Sequence, residues 1–180
     1  MIDKSKERVI IYIDNSNFFH EICTLNSETR IDFKKLVNIL VGQRKLVDTK
    51  LYASEIVPMP DKQSSFYKKL EYSGIRVVLT EQRIRMGKIR EEAIDVALSV
   101  DMMEDVFSDK VDTVILVAGD GDYVPLVNKV RTKGIKVQLA FCNVGLSDKL
   151  RRAVTDFIDI DNVMSEIKLE KKENRCEDKV

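Results

Sequence analysis

Four aspartates stand where carboxylates could bind a metal ion or move a proton. Asp14 heads the segment Asp-Asn-Ser-Asn, and Asp95 interrupts an apolar stretch. Asp120 and Asp122 alternate with two glycines. At about 4 Å, two carboxylates repel by roughly 4 kcal/mol at an effective dielectric of 20. If these four side chains converge, the cluster must raise its pKa values or bind a cation.

The expected cation is Mg²⁺ or Mn²⁺, because these ions prefer oxygen ligands. The chain has one histidine, His20, which excludes a zinc site built from several histidines. Asn15 and Asn17 add neutral oxygens or amide donors that could orient a water molecule without adding charge. A metal held by few carboxylates keeps waters, and one of them could attack a phosphorus atom.

Each acid also has a purely structural interpretation. The segment after Asp14 could be a helix N-cap, and Asp122 could cap the helix that follows it. Asp95 could face solvent, because the helical register is uncertain. Asp101, six residues further on, lies on a different helix face from Asp95, and we keep it as a weaker candidate.

Strands alternate with helices along the chain, which predicts an α/β fold with a mostly parallel five-stranded sheet and helices on both faces. The predicted strands are 9–13, 48–54, 75–79, 111–118 and 135–141, and 157–161 alternates like an edge strand. The predicted helices are 17–25, 33–41 capped by Asp32, 61–72, 91–106, 122–132, 147–154 and 162–167. We expect the helix at 91–106 to bury a stripe formed by Ala93, Val96, Ala97, Val100 and Met103. Ligands of such folds bind beyond the carboxyl ends of the strands, which is where Asp14 and Asp120 fall.

A basic hairpin is predicted around Met86-Gly87, a two-residue turn between alternating runs. It would present four cations to phosphates, namely Arg83, Arg85, Lys88 and Arg90. A solvated loop is the alternative interpretation. Ser147 could hold a phosphate at a helix N-terminus or act as a plain N-cap. The aromatic residues at 66, 67 and 72 could stack bases or pack their helix on the sheet.

Length and composition exclude several classes of protein. The 180 residues suit one domain, which we place at 1–167, followed by a charged, disordered tail at 168–180. Thirty basic residues balance thirty acidic ones, so the chain is not a polycation. Its apolar runs are too short to span a bilayer, and the charged N-terminus is unlike a signal peptide. Three scattered cysteines indicate reduced thiols, and we expect a cytoplasmic protein with no membrane partner.

Three ordered motifs resemble the NYN domain family, the LabA-like members of the PIN-like nuclease superfamily. They are V-I-I-Y-I-D-N-S-N at 9–17, E-E-A-I-D-V-A-L-S-V-D at 91–101 and V-I-L-V-A-G-D-G-D-Y-V-P-L-V at 114–127. The segments 134–137, 147–150 and 153–157 match the closing part of that pattern, so the resemblance reaches about residue 167. In this chain, Tyr123 stands for the usual phenylalanine, Ala118 and Gly121 for small hydroxyl residues, and Glu92-Ala93 for a basic residue and glycine.

The resemblance implies a PIN-like three-layer α/β/α sandwich and a Mg²⁺- or Mn²⁺-dependent ribonuclease acting on single-stranded RNA. By position, Asp14 and Asp120 would be the principal metal ligands, with Asp95 and Asp122 completing the acidic cluster. Asn17 would position substrate or water, and Asn15 matches the motif with a less certain role. A homodimer is left open.

Two other functions compete with a nuclease. A phosphatase of the haloacid dehalogenase type would use Asp14 as its nucleophile, but that motif requires a second aspartate where Ser16 stands. A catalytically silent RNA-binding or regulatory module is the other alternative, and the intact acids argue against it. A dinucleotide enzyme is disfavoured, because no G-x-G-x-x-G motif opens a helix after the first strand.

Overall fold

The central strand of the sheet, β1 (Arg8–Asp14), is buried on both faces, which is why its sequence is a continuous apolar run. Its odd-numbered side chains enter one hydrophobic core and its even-numbered side chains enter the other. The two cores are separated by the sheet, and helices cover both of them.

The computed structural model describes residues 6–25, 29–55, 59–85, 88–91 and 93–169. After β1, the strands are β2 (Lys45–Glu55), β3 (Arg76–Arg85), β4 (Lys88–Glu91), β5 (Thr113–Val117), β6 (Lys136–Phe141) and β7 (Asp156–Asp159). The helices are α1 (Asn15–Leu25), α2 (Phe33–Val41), α3 (Asp61–Tyr72), α4 (Ile94–Phe107), α5 (Val124–Arg131), α6 (Asp148–Ala153) and α7 (Met164–Ile167). Short 3₁₀ turns at Gly121–Tyr123 and Ile160–Val163 precede α5 and α7.

The described strands form one sheet in the order β4-β3-β2-β1-β5-β6-β7. All neighbouring pairs are parallel except β3 and β4, which form an antiparallel hairpin. The α/β prediction is confirmed with one small difference, since six strands rather than five are parallel. The additional strand is β7, which the alternation at 157–161 indicated as an edge strand.

The helices form two layers, as predicted. The first core takes side chains from α1, α2, α3 and α7, and the second takes them from α4, α5 and α6. The predicted caps of α2 are present as well: the Asp32 side chain accepts from the backbone N–H of Lys35, and Gly42 ends the helix at φ 59°.

The predicted apolar stripe of α4 is wrong. The residues that α4 buries are Ile94, Leu98, Met102, Asp105 and Val106, whereas Val96 and Val100 are 57% and 60% exposed. Two apolar rows run along this helix, and the row with the larger side chains lies on the sheet. Periodicity alone could not distinguish the two rows.

The C-terminal end of the described chain pairs with the segment before α2. Lys168 forms an antiparallel bridge with Ile31, and the backbone N–H of Leu169 donates to the carbonyl of Arg30. Backbone pairing therefore includes the first two residues of the predicted tail, and residues 170–180 lie outside the described part. Within the described ranges, no helix combines the length and apolar character that a membrane span requires.

Candidate active site

The carboxyl ends of the central strands open into a cavity of about 700 Å³. Strand order reverses at β1, with β2 and β3 on one side and β5, β6 and β7 on the other. The loops that leave β1 and β5 part at this point, which is where doubly wound sheets bind ligands. Asp14 at the end of β1, Asp120 after β5 and Asp95 on α4 all line the cavity. Three of the four predicted acids are thus brought to one place.

Asp14 is the most firmly held of the three carboxylates. It is 7% exposed, and its Oδ1 accepts the backbone N–H of Asn17 at 3.0 Å. Its Oδ2 accepts the hydroxyl of Tyr123 at 2.8 Å. These two bonds orient the carboxylate.

The buried phenol of Tyr123 reports on the electrostatics of the site. Its pKa is raised above the ordinary value, first by burial and next by the charge and hydrogen bond of Asp14. The charges of Asp95 and Asp120 raise this pKa further. All three cavity carboxylates therefore lie within electrostatic reach of the same phenol.

Asn17 connects the end of β1, which carries Asp14, to the loop after β5, which carries Asp120. It lies in the first turn of α1, and its side-chain Oδ1 accepts the backbone N–H of Gly119 at 2.6 Å. Asn17 and its neighbour Asn15 also line the cavity. The side-chain oxygen of Asn17 is thus used to hold the β5 loop beside β1, which is a positioning role.

Asp95 reaches the cavity from the first turn of α4, where a negative side chain is favoured by the helix dipole. The side chain is exposed rather than buried among apolar neighbours. Ala93, just before the helix, has φ 73° in the left-handed region, which costs a residue with a Cβ about 1–2 kcal/mol. Glycine is common here in the pattern that the chain resembles, and it would carry no such cost.

Asp120 caps the 3₁₀ turn that follows β5, and Asp122 lies within that turn. The Asp120 side chain accepts the backbone N–H of Asp122 at 3.0 Å and lines the cavity. The Asp122 side chain is exposed and is not part of the cavity lining. Residues two apart in a 3₁₀ turn point in different directions, because each residue advances a third of a turn. The structure does not bring Asp122 into the cluster.

Asp101 also lies away from the cavity, on the side of α4 that faces β2. Its Oδ2 accepts the hydroxyl of Tyr52 at 2.7 Å and lies 3.9 Å from the ammonium of Lys50. It therefore belongs to a polar network beneath α4 rather than to the candidate active site.

Among the predicted phosphate-binding residues, the described side chain of Ser147 is not part of the cavity lining. Ser147 precedes the six-residue helix α6, and its backbone N–H donates to the carbonyl of Gly119 at 2.8 Å. The basic hairpin is present in its backbone, where Arg83 pairs with Arg90 and Arg85 with Lys88. The side chains of these four residues and the turn at Met86-Gly87 lie outside the described part of the structure.

One wall of the cavity was predicted only in part: Tyr67 was a candidate for stacking bases, whereas Phe19 and Gln63 were not identified. Phe19 and His20 line it from α1, and Gln63 and Tyr67 line it from α3. Phe19 follows Asn15 by four residues and so lies on the same face of α1. The four-residue spacing from Asn15 was the signal in the sequence that could have identified Phe19. Hydrophobic periodicity could not identify it, because Phe19 is exposed and stands beside the buried Phe18.

Comparison with known proteins identifies the family. The model of the NYN domain matches residues 8–161, which span the sheet from β1 to β7. The chain belongs to the NYN domain family. This membership places it in the PIN-like nuclease superfamily, and the three-layer α/β/α sandwich is the PIN-like fold. NYN domains are generally nucleases that act on RNA and use divalent metals.

Two similar proteins have no assigned function. An uncharacterized protein of Methanocaldococcus jannaschii is 27% identical over 158 residues, which is 86% of this chain and 55% of that protein. The NYN chain thus spans about half the length of this curated relative. A crystal structure of a protein of unknown function from Vibrio parahaemolyticus has a TM-score of 0.78 and 26% identity, and the match covers 94% of this chain and 100% of that one.

The residues of this NYN site fit a hydrated divalent cation. Among the described residues, no group of three or more His, Cys, Asp or Glu side chains is close enough to form a ready-made metal cage. Mg²⁺ does not require one, since it keeps several waters and binds through one or two carboxylates and the substrate phosphate. The cavity offers such ligands in Asp14, Asp95 and Asp120, and the single histidine of its lining, His20, is too few for a zinc site built from several histidines.

Proposed function

We propose that this NYN domain is a metal-dependent ribonuclease that hydrolyses phosphodiester bonds of single-stranded RNA with Mg²⁺ or Mn²⁺. The observation that carries the proposal is the convergence of Asp14, Asp95 and Asp120 on one cavity at the switch between β1 and β5. Family membership supports the reaction class, because NYN domains are generally nucleases.

Electrostatics supports a cation between the protein and its substrate. Three carboxylates line the cavity, and no lysine or arginine is among its described lining residues. A phosphodiester is itself an anion, and two like charges 4 Å apart repel by about 4 kcal/mol at an effective dielectric of 20. An RNA phosphate is therefore expected to enter only when a cation compensates these charges.

The roles of the residues follow from their contacts. Asp14, Asp95 and Asp120 would hold the ion, which supplies an activated water and stabilises charge on the phosphate oxygens. Tyr123 and the backbone N–H of Asn17 hold the Asp14 carboxylate in one orientation. The Asn17 side chain holds the loop that presents Asp120.

RNA binding outside the cavity is assigned to the β3–β4 hairpin, whose register sets Arg83 opposite Arg90 and Arg85 opposite Lys88. Such cations bind phosphates without regard to sequence. A phosphate contact at Ser147 and a homodimer stay predictions. A cytoplasmic location agrees with the free, buried thiol of Cys142.

The test is cleavage of an end-labelled single-stranded RNA by the purified protein with Mn²⁺, Mg²⁺ or EDTA. We expect internal cleavage with a metal ion, none with EDTA and none by Asp14→Asn prepared in parallel. Hydrolysis of an aryl phosphate without RNA cleavage would instead support the phosphatase. RNA that is bound but left intact with either metal would support the silent binding module.

A further inference from the structure

The cavity has two walls of different chemistry. The carboxylates lie where β1, β5 and α4 meet, whereas Phe19, His20, Gln63 and Tyr67 line it from α1 and α3. We call these four residues the α1–α3 wall. A site that only held a metal ion and a phosphate would have no use for an aromatic and amide surface.

Phe19 is the unusual member of this wall. Its side chain is 58% exposed, while the adjacent Phe18 is 1% exposed and packs edge to face on Phe33. Among the described residues, Phe19 is also the one exposed large hydrophobic side chain that lines the cavity. An exposed ring at the mouth of a polar cavity is a surface on which a planar ligand can stack.

The rest of the wall offers polar groups and rigidity. The Nε2 of Gln63 donates to the hydroxyl of Tyr67 at 3.0 Å and to the carbonyl of Ser54 at 3.3 Å. These bonds fix the amide on α3, four residues from Tyr67 on the same helix face. A planar ligand in this cavity therefore meets an aromatic face from α1 and a fixed amide from α3.

The spacing along α1 between the end of β1 and Phe19 suits a base joined to the reacting phosphate. Asn15 directly follows Asp14, and Phe19 lies four residues further along α1. At 1.5 Å per residue, this places Phe19 about 6 Å along the helix axis from Asn15. One sugar ring is enough to bridge a separation of this size.

We propose that the α1–α3 wall is a nucleobase subsite, in which the base next to the scissile phosphate stacks on the ring of Phe19. The inference rests on the proposed ribonuclease function and specifies its substrate. A base inside a duplex has both faces covered, so stacking on Phe19 selects an unpaired nucleotide. Stacking also tolerates every base, since each has an aromatic face, and the subsite is expected to prefer single strands without a strict sequence requirement.

The experiment measures stacking directly. A short single-stranded RNA carries 2-aminopurine, a base whose fluorescence is quenched on stacking, and it is titrated with Asp120→Asn protein and Mg²⁺ so that the strand stays intact. We compare Phe19→Ala and Phe19→Trp in this background. The matched control is Phe107→Ala, since Phe107 is 54% exposed and is not part of the cavity lining.

We expect quenching with Phe19 or Trp at this position, and its loss with Phe19→Ala. The affinity for RNA should fall about fivefold to a hundredfold in Phe19→Ala, as for the loss of one base–aromatic stack. An RNA that lacks bases over its whole length should bind Phe19→Ala and its parent equally.

Unchanged quenching in Phe19→Ala, or an equal loss in Phe107→Ala, would overturn the subsite even if the wild-type protein cleaves RNA. Absence of cleavage by the wild-type protein, with quenching that still depends on Phe19, would overturn the nuclease proposal alone. The two proposals therefore fail by different measurements.

Discussion

At the scale of single residues, the candidate site depends on a glycine as much as on its acids. Gly119 precedes Asp120 and donates its backbone N–H to Asn17. A Cβ at Gly119 would collide with the ring of Phe141 and lie 2.9 Å from the carbonyl of Gly145. The loop after β5 can therefore reach Asn17 only because position 119 has no side chain.

We predict that Gly119→Ala lowers the free energy of unfolding by about 1–3 kcal/mol, the usual cost of overpacking a tight core. The matched variant is Gly121→Ala, whose Cβ would meet the Ser147 hydroxyl at 2.7 Å, and that side chain can rotate away. Urea denaturation of both variants is the measurement. Equal losses of stability would show that the packing around Gly119 is not tight.

The residue scale also shows what sequence could and could not predict. Asp14 and Asp120 were identified because each follows an apolar run that had to be a buried strand. Asp122 was grouped with Asp120, although the direction of a side chain in a 3₁₀ turn is not visible in its spacing. Phe19 was overlooked, because its role depends on α3 lying across the cavity, a contact between segments far apart in the chain.

At the scale of elements, α4 carries Asp95 and is positioned by a buried charge network. Lys50 of β2 and Asp105 of α4 are both 6% exposed, and their charged atoms lie 2.6 Å apart. Tyr12 donates to the same carboxylate at 2.7 Å. Burial opposes the ionised form of Asp105, but the hydrogen bonds from Lys50 and Tyr12 together lower its pKa below the ordinary value.

We predict that Lys50→Met destabilises the protein by about 3 kcal/mol, because it leaves the buried Asp105 carboxylate without its closest cation. The control is Lys110→Met, which removes a half-exposed cation 3.4 Å from the same carboxylate and should cost no more than about 1 kcal/mol. Thermal and urea unfolding measure both. Similar losses in the free energy of unfolding for the two variants would contradict the conclusion that Lys50 is the cation that stabilises the buried Asp105 carboxylate.

The failed prediction for α4 has its cause in this network. The sequence of α4 contains two apolar rows. Asp105 lies in the row that faces the sheet, and this placement can be inferred only when Lys50 is known to lie opposite Asp105. A carboxylate among apolar residues is ordinarily assigned to solvent. The strands and the caps of α2 were predictable because their signals are local.

At the scale of the whole molecule, three buried tyrosines link the sheet to the surrounding elements. Tyr12 and Tyr52 donate to aspartates of α4, and Tyr123 donates to Asp14. The pKa of each phenol is raised above its ordinary value, with burial as the largest cause and the neighbouring carboxylates next. The folded protein therefore keeps three protons that the unfolded chain loses near pH 10.

We predict a loss of stability in alkali. Since the folded state binds more protons than the unfolded state above pH 10, the free energy of unfolding must fall as pH rises. Each tyrosine contributes up to about 1.4 kcal/mol per pH unit to the fall in the free energy of unfolding. Urea unfolding between pH 9 and 11 measures the slope, and Tyr123→Phe should make it shallower by one tyrosine. A slope unchanged by Tyr123→Phe would show that this phenol ionises normally in the folded protein.

The most direct test of the central claim compares two acids in the same turn. The rate of cleavage of single-stranded RNA with Mn²⁺ is measured for Asp120→Asn and Asp122→Asn, two isosteric changes of equal charge. Only the Asp120 side chain lines the cavity. We predict that Asp120→Asn loses about a hundredfold or more in rate, while Asp122→Asn stays close to wild type. Equal losses in the two variants, or full activity of Asp120→Asn, would contradict the assignment of this cavity as the nuclease centre.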